Sequence, residues 1–229
     1  MRLEKQNLIK QLPLASALLY AAAITAAEAV TGSAVFIHIN IYITDAAALW
    51  AAALLMSRAI REHNGKELLY TALGMSCLTL GNFYFLLLDI VSFEYDVISV
   101  GLFAKVCCYL FFIAVLSAQK PFRMKRAAAV DIGSFAVAAT CAYAVITNSY
   151  LVINLSVILL NLLCAVLAAG LLRYPRRVRF FAQVTLFLAV KDILSVFSVL
   201  SFATDSLSPA LYILIVRSAL LMGEEEENA

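Results

Sequence analysis

The chain has 229 residues, of which 64% are hydrophobic and only 14% are charged. Soluble domains are about half apolar and about a quarter charged, so this composition excludes an ordinary soluble domain and indicates an integral membrane protein. The formal net charge of +2 gives no reason to expect nucleic-acid binding, because the basic residues are concentrated in particular loops.

Apolar runs that are long enough to cross a bilayer, at about 20 residues per span, follow one another along the whole sequence. We predict one all-α integral membrane domain over residues 1–229 with eight transmembrane helices. The predicted helices cover 13–34, 36–57, 68–90, 97–117, 127–147, 150–172, 180–203 and 209–222. All four prolines (Pro13, Pro121, Pro175 and Pro209) are predicted to lie at or between helix ends, where a missing N–H costs least.

Lysine and arginine are distributed unevenly among the predicted loops. Of the 17 basic residues, 14 lie in the N-terminal segment or in the loops after predicted helices 2, 4 and 6. The loops on the other side, which contain SFEYD, TNSY and ATDSLS, carry none. Because cytoplasmic loops carry the excess of lysine and arginine, we predict a multi-pass protein of the cell membrane with both termini in the cytoplasm.

Charged residues also occur inside the predicted spans, where each one costs about 2.5–3.5 kcal/mol or more unless it is paired or hydrated. The deep residues are Lys105, Lys191 and Arg217, which are basic, and Glu28, Asp45 and Asp192, which are acidic. Equal numbers of the two signs predict an internal cluster that is close to neutral. Helical spacing further places His38 and Tyr42 on the same face of helix 2 as Asp45.

Lys191 and Asp192 are adjacent, and adjacent positions differ by about 100° around a helix. We therefore expect one of them to face a central site and the other to contact a neighbouring helix. Buried ion pairs and amides also act as plain contacts between helices, and this alternative stays open for each single residue. The five cysteines all lie in apolar runs and are interpreted as packing residues, and no cofactor or metal site is predicted.

Helices 3 and 7 carry polar residues at related positions. Asn82 in GNFYFLLL is followed 23 residues later by Lys105, and Asp192 in KDILSVFS is followed 25 residues later by Arg217. This pattern predicts two parallel repeats of four helices each, related by an axis along the membrane normal. Asn82 and Asp192 would then be equivalent positions that approach each other near the centre.

Two of these segments resemble motifs of the YhhN-like lysoplasmalogenases. LGNFYFLLL (Leu80 to Leu88) corresponds to the helix-3 motif of that family, and LFLAVKDILSVF (Leu186 to Phe197) corresponds to the helix-7 motif. The resemblance implies an eight-helix membrane hydrolase that cleaves the vinyl-ether bond of lysoplasmalogens, with a membrane lipid or lysolipid as its partner. Asp192 matches the second family aspartate, whereas Asn82 stands in place of the first.

Vinyl-ether hydrolysis begins with protonation of a carbon atom, followed by attack of water on the oxocarbenium ion. Two carboxyls in a site of low dielectric suit these steps, and with Asn82 in place of one carboxyl, Asp45 or Glu28 has to supply the second. The candidate catalytic residues are thus Asp192, Asn82 and Asp45. The candidate substrate-binding residues are Lys105, Lys191, Arg217, Tyr42, His38 and Glu28.

A second interpretation stays open beside the hydrolase. The same buried charges also fit a non-enzymatic transporter or the sensor module of a signalling system, in which they form a substrate or proton pathway. Proline is absent from the predicted span interiors, which favours a rigid bundle over the broken helices of many transporters. The oligomeric state is left open by the sequence.

Overall fold

The computed structural model describes residues 2–61, 66–91, 98–119, 124–147, 149–173, 176–196 and 204–226. Within these ranges the chain forms eight long helices and no strand. The helices are α1 (Arg2–Thr31), α2 (Ala34–Arg61), α3 (Lys66–Val91), α4 (Ile98–Ser117), α5 (Met124–Ile146), α6 (Tyr150–Leu171), α7 (Arg176–Val196) and α8 (Ser208–Glu226). The predicted all-α class is therefore confirmed.

Six of the described helices, α1 to α6, are long and apolar enough to cross a membrane, as expected of a multi-pass membrane protein. The other two differ from them for identifiable reasons. α7 carries three arginines near its start together with Lys191 and Asp192, which lowers its hydropathy. The apolar part of α8, Ser208–Met222, is shorter than a full span.

Each predicted helix corresponds to one observed helix, and the largest difference is at the start of the chain. α1 begins at Arg2, so Pro13 lies inside it and the prediction that all four prolines lie at helix ends was wrong. The residues before Pro13 include glutamate, lysine, glutamine and leucine, which favour helix and extend it beyond the apolar run. Pro209 lies in the first turn of α8, as predicted. Pro121, Pro175 and residues 197–203 lie outside the described residues.

The helices pack as a ring of six with two helices outside it. Around the ring α2 contacts α3, α3 contacts α4, α4 contacts α6, α6 contacts α7, α7 contacts α8, and α8 contacts α2. α1 lies against α2 and α8, and α5 lies against α4 and α6. Large apolar side chains fill the core, among them Leu55, Leu68, Met75, Phe112 and Phe181, all of them buried.

Close packing of α3 on α4 positions part of the polar cluster. A Cβ atom added at Gly81 would lie 3.0 Å from the carbonyl oxygen of Gly101, and one added at Gly74 would lie 3.0 Å from the ring of Phe112. The late part of α3 thus lies beside the early part of α4, and the two helices are antiparallel. Small residues permit this approach, as is common between membrane helices. It fixes the position of Asn82, which follows Gly81, relative to α4.

Candidate functional site

The adjacent charges of α7 form a buried ion pair with each other. Lys191 Nζ lies 2.8 Å from Asp192 Oδ1, and the two side chains are 10% and 8% exposed. Each charge also contacts a different helix. Asp192 Oδ2 accepts a hydrogen bond from the Tyr109 hydroxyl of α4 at 2.6 Å, and Lys191 Nζ donates to Ser208 Oγ of α8 at 3.0 Å. The two side chains therefore neutralise each other while they connect α7 to two neighbours.

Asp192 is held firmly by this arrangement. Both of its carboxylate oxygens have charged or hydrogen-bonding partners, which is what makes a buried carboxylate tolerable in an apolar surrounding. Lys105 of α4 lies close enough to Asp192 to interact with it electrostatically. The Lys105 ammonium also lies 5.7 Å from the ring centroid of Phe85, within cation–π range.

A second group of polar side chains is centred on Asn82 of α3. Side-chain hydrogen bonds join Asn82 to Asp45 of α2 and to Tyr212 of α8. Tyr212 is also hydrogen-bonded to Ser208, the residue to which Lys191 donates. A continuous line of polar contacts therefore runs from α2 through α3 and α8 to the ion pair of α7. We call these residues the polar network (Asp45, Asn82, Tyr109, Lys191, Asp192, Ser208 and Tyr212).

Two polar atoms of α2 differ from the rest of this region. Asp45 Oδ2 and Thr44 Oγ1 are buried and have no hydrogen-bond partner among the described residues. Asp45 as a whole residue is only 6% exposed. A buried polar atom without a partner costs about 1–3 kcal/mol, and a catalytic role or a bound water or ion is among the explanations for such an atom in a native structure. Among the described residues, Asp45 Oδ2 therefore has no donor, whereas both oxygens of Asp192 have partners.

The polar network reaches the surface at the turn directly before α8, residues 204–207. Lys191 Nζ lies 3.5 Å from Asp205 Oδ1, and the Asp205 side chain is 49% exposed. Ser206 in the same turn shares a 2.9 Å hydrogen bond with Thr25 of α1. This turn lies at the end of the bundle opposite the basic loops, so the network extends to the surface at that end.

The structure does not bring every predicted site residue into this network. Tyr42 is 50% exposed, because it is turned about 60° around α2 from the buried Asp45. His38 is exposed as well, so the predicted face of α2 contributes only Asp45 to the interior. Glu28 of α1 and Arg217 of α8 are partly buried.

Both tyrosines and Ser208 were missed as site residues, although spacing gives a signal for them. Tyr109 lies four residues after Lys105, and Tyr212 lies four residues after Ser208, so each pair shares a helix face. Tyrosine is common in apolar membrane helices, so residue type alone did not distinguish Tyr109 and Tyr212 from tyrosines that only pack in the core.

The network offers a buried ion pair, a free carboxylate oxygen and several hydroxyl and amide groups. Among the described residues, no three His, Cys, Asp or Glu side chains are grouped to hold a metal ion. The arrangement is suited to hold a polar or charged group of a molecule whose remainder is apolar. No protein-family model, curated protein or solved structure matches the chain.

Proposed function

We propose that this chain is a membrane-embedded hydrolase that binds a lysolipid in the polar network and cleaves its vinyl-ether bond. The observation that carries the proposal is Asp45, a buried carboxyl with one oxygen that has no partner among the described residues. Acidic residues inside membrane bundles are costly and usually functional. The resemblance of the Asn82 and Asp192 segments to lysoplasmalogenase motifs supplies the reaction.

The proposed topology has eight spans in the cell membrane with both termini in the cytoplasm. α7 and α8 are included as spans because they close the ring between α6 and α2. Two of the charges that lower the hydropathy of α7, Lys191 and Asp192, pair with each other in the interior. The excess of basic residues at one end of the bundle supports the orientation.

We also propose that α1–α4 and α5–α8 are parallel repeats. The packing supports this, since α1 lies outside against α2 and α8 just as α5 lies outside against α6 and α4. The polar contacts have the same relation: Tyr109 of α4 binds Asp192 of α7, and Tyr212 of α8 binds Asn82 of α3. Each half thus gives a tyrosine from its last helix to the third helix of the other half.

In the proposed reaction, one carboxyl serves both proton transfers. Asp45 protonates the vinyl-ether carbon next to the alkyl chain, which creates the oxocarbenium ion, and then takes a proton from the water that adds to it. The resulting hemiacetal separates into an aldehyde and the glycerol hydroxyl. Asn82, which is hydrogen-bonded to Asp45, orients the water. Its role is limited to orientation because an amide cannot accept the proton that the water loses.

The remaining charges bind and position. Asp192 is a positioning residue in this scheme, because Lys191 and Tyr109 occupy both of its oxygens. Lys105, which is partly buried beside Phe85, is proposed to lie near the phosphate of the headgroup. The apolar walls of the ring would take the hydrocarbon chain.

The alternative function is a non-enzymatic transporter or sensor module. One observation favours it: charged groups lead from the half-exposed Asp205 through Lys191 to the buried Asp192, which is the form of an ion or proton pathway. In that function Asp45 would carry a proton or substrate group without covalent chemistry.

The direct test is hydrolysis of a lysoplasmalogen by the purified protein in detergent, followed by aldehyde release. We expect release from the wild type and none above background from Asp45→Asn. Asp131→Asn is the matched control, because Asp131 is exposed on α5 and hydrogen-bonded to Ser117, away from the network. Absence of release from folded wild type and from Asn82→Asp would favour the transporter or sensor.

A further inference from the structure

Lys191 has two acidic partners of very different strength. Its ammonium lies 2.8 Å from Asp192 Oδ1, where both side chains are almost fully buried. The same ammonium lies 3.5 Å from Asp205 Oδ1, and that side chain is 49% exposed. A short ion pair in a medium of low dielectric is much stronger than a long pair that is half in water. Asp205 is therefore the partner that gives way when another anion reaches Lys191.

The position of Lys191 limits the direction from which such an anion arrives. Lys191 lies about 22 Å along α7 from Arg176, at 1.5 Å per residue, and so is close to the end of α7 opposite the basic loops. Its partners Ser208 and Asp205 belong to the start of α8 and the turn before it. Toward the basic loops the ring is filled by buried apolar side chains such as Phe112 and Phe181. An anion therefore reaches Lys191 past Asp205.

We propose that Lys191 and the Ser208 hydroxyl bind the phosphodiester of a lysolipid headgroup, and that Asp205 is the anion that this phosphate replaces. The identity of the lipid rests on the proposed function, whereas the exchange at Lys191 does not. The lipid then enters from the leaflet on the non-cytoplasmic side. Asp205 acts as a specificity residue, because it competes with the anionic phosphodiester of a headgroup and leaves a headgroup without phosphate unaffected.

Replacing Asp205 tests this exchange without disturbing the buried pair. In Asp205→Asn we expect about two- to fivefold tighter binding of an acyl lysophosphatidylethanolamine, which has the phosphodiester but no vinyl ether. Binding of a monoacylglycerol with the same chain should not change. Asp131→Asn, which removes the same charge far from Lys191, should change neither. Unchanged or weaker binding of the phospholipid by Asp205→Asn, or equal tightening for both lipids, would overturn the proposal.

A second variant removes the cation while keeping the interior neutral. Lys191→Gln combined with Asp192→Asn removes both members of the buried pair, so it avoids the instability expected of either single change. We expect this protein to lose most of the wild-type preference for the phosphodiester lipid over the monoacylglycerol. A preference for the phosphodiester equal to that of the wild type would contradict the proposed site.

Two further readouts distinguish a lipid ligand from a soluble phosphodiester, and the proposed phosphate site from the proposed hydrolase function. Soluble glycerophosphoethanolamine that competes as strongly as the lipid would overturn a lipid ligand, and we expect it to compete at least tenfold more weakly. Aldehyde release by the wild type together with unchanged binding by Asp205→Asn would remove this inference alone. Selective tightening without any aldehyde release would support the phosphate site and remove the hydrolase.

Discussion

The two halves of the chain, α1–α4 and α5–α8, contact each other at two similar places, which we call the charged crossing and the amide crossing. At one crossing Tyr109 of α4 donates to Asp192 of α7, whose other oxygen pairs with Lys191. At the other crossing Tyr212 of α8 binds Asn82 of α3, which in turn binds Asp45. The first crossing is charged and has every carboxylate oxygen occupied, while the second ends at a carboxylate oxygen without a described partner. We infer that the charged crossing holds the bundle together and binds the headgroup phosphate, and that the amide crossing carries out the chemistry.

The largest expected effect is on stability at the charged crossing. Lys191→Met leaves Asp192 buried without its counter-ion, and breaking a buried pair from one side typically costs about 3–5 kcal/mol. We expect this variant to lose most of its folded yield in detergent. Lys191→Met with Asp192→Leu should recover it, since neither member of the buried pair is left without the other. Denaturation midpoints measured by loss of helical circular dichroism check both, and a Lys191→Met protein as stable as the wild type would refute the structural role.

The next largest effect is on activity at the amide crossing. Asp45→Asn removes the only proposed proton donor, so aldehyde release should fall at least about 100-fold. The free energy of unfolding should change by less than about 1 kcal/mol, because Asp45 Oδ2 has no described partner to lose. Initial rates and denaturation midpoints are measured on the same preparation. A loss of stability as large as that of Lys191→Met would show that the two crossings do not differ in role.

A carboxyl introduced at the amide crossing should raise the rate of aldehyde release. Asn82→Asp places a second carboxyl beside Asp45, and a carboxylate accepts the proton of the attacking water where an amide cannot. We expect aldehyde release to rise about tenfold, with a loss of stability because two buried carboxyls repel each other. The rate is measured against wild type at equal protein concentration. A rate below that of the wild type would mean that the amide itself is required.

The smallest expected difference is between the two tyrosines. Tyr109→Phe removes a hydrogen bond to a buried carboxylate and should cost about 1.5–3 kcal/mol, whereas Tyr212→Phe removes bonds to neutral groups and should cost about 0.5–1.5 kcal/mol. The two changes are chemically identical, so each is the control for the other. Chemical denaturation of both variants measures the difference, and a larger loss for Tyr212→Phe would reverse the assignment.

Much of the fold could be predicted from the sequence because bilayer thickness fixes helix length and apolar runs show it directly. The charged residues Lys191 and Asp192 were identified because charges are rare in such helices, and so was Asp45. The spacing of polar residues along a helix could not predict how the helix is rotated about its own axis relative to its neighbours. Tyr42 was therefore predicted to lie inward although it is half exposed.

Other features depended on contacts between distant parts of the chain. Asp205 was not predicted as a partner of Lys191, because a turn gives no periodic signal for where its side chains point. The pairing of Lys191 with its own neighbour Asp192 was also not predicted, since long side chains overcome the angle between adjacent positions. The apolar span of α1 begins at Pro13 as predicted, but hydropathy did not show that the helix extends back to Arg2.

The measurement that tests the central claim most directly is aldehyde release by Asp45→Asn beside Tyr109→Phe, each with its denaturation midpoint. If the crossings divide their roles as inferred, Asp45→Asn loses activity at nearly wild-type stability, and Tyr109→Phe loses stability while the folded fraction keeps its activity. If instead Asp45→Asn hydrolyses the lysoplasmalogen at the wild-type rate, Asp45 is not where the chemistry occurs, and the inferred division of roles between the crossings is wrong.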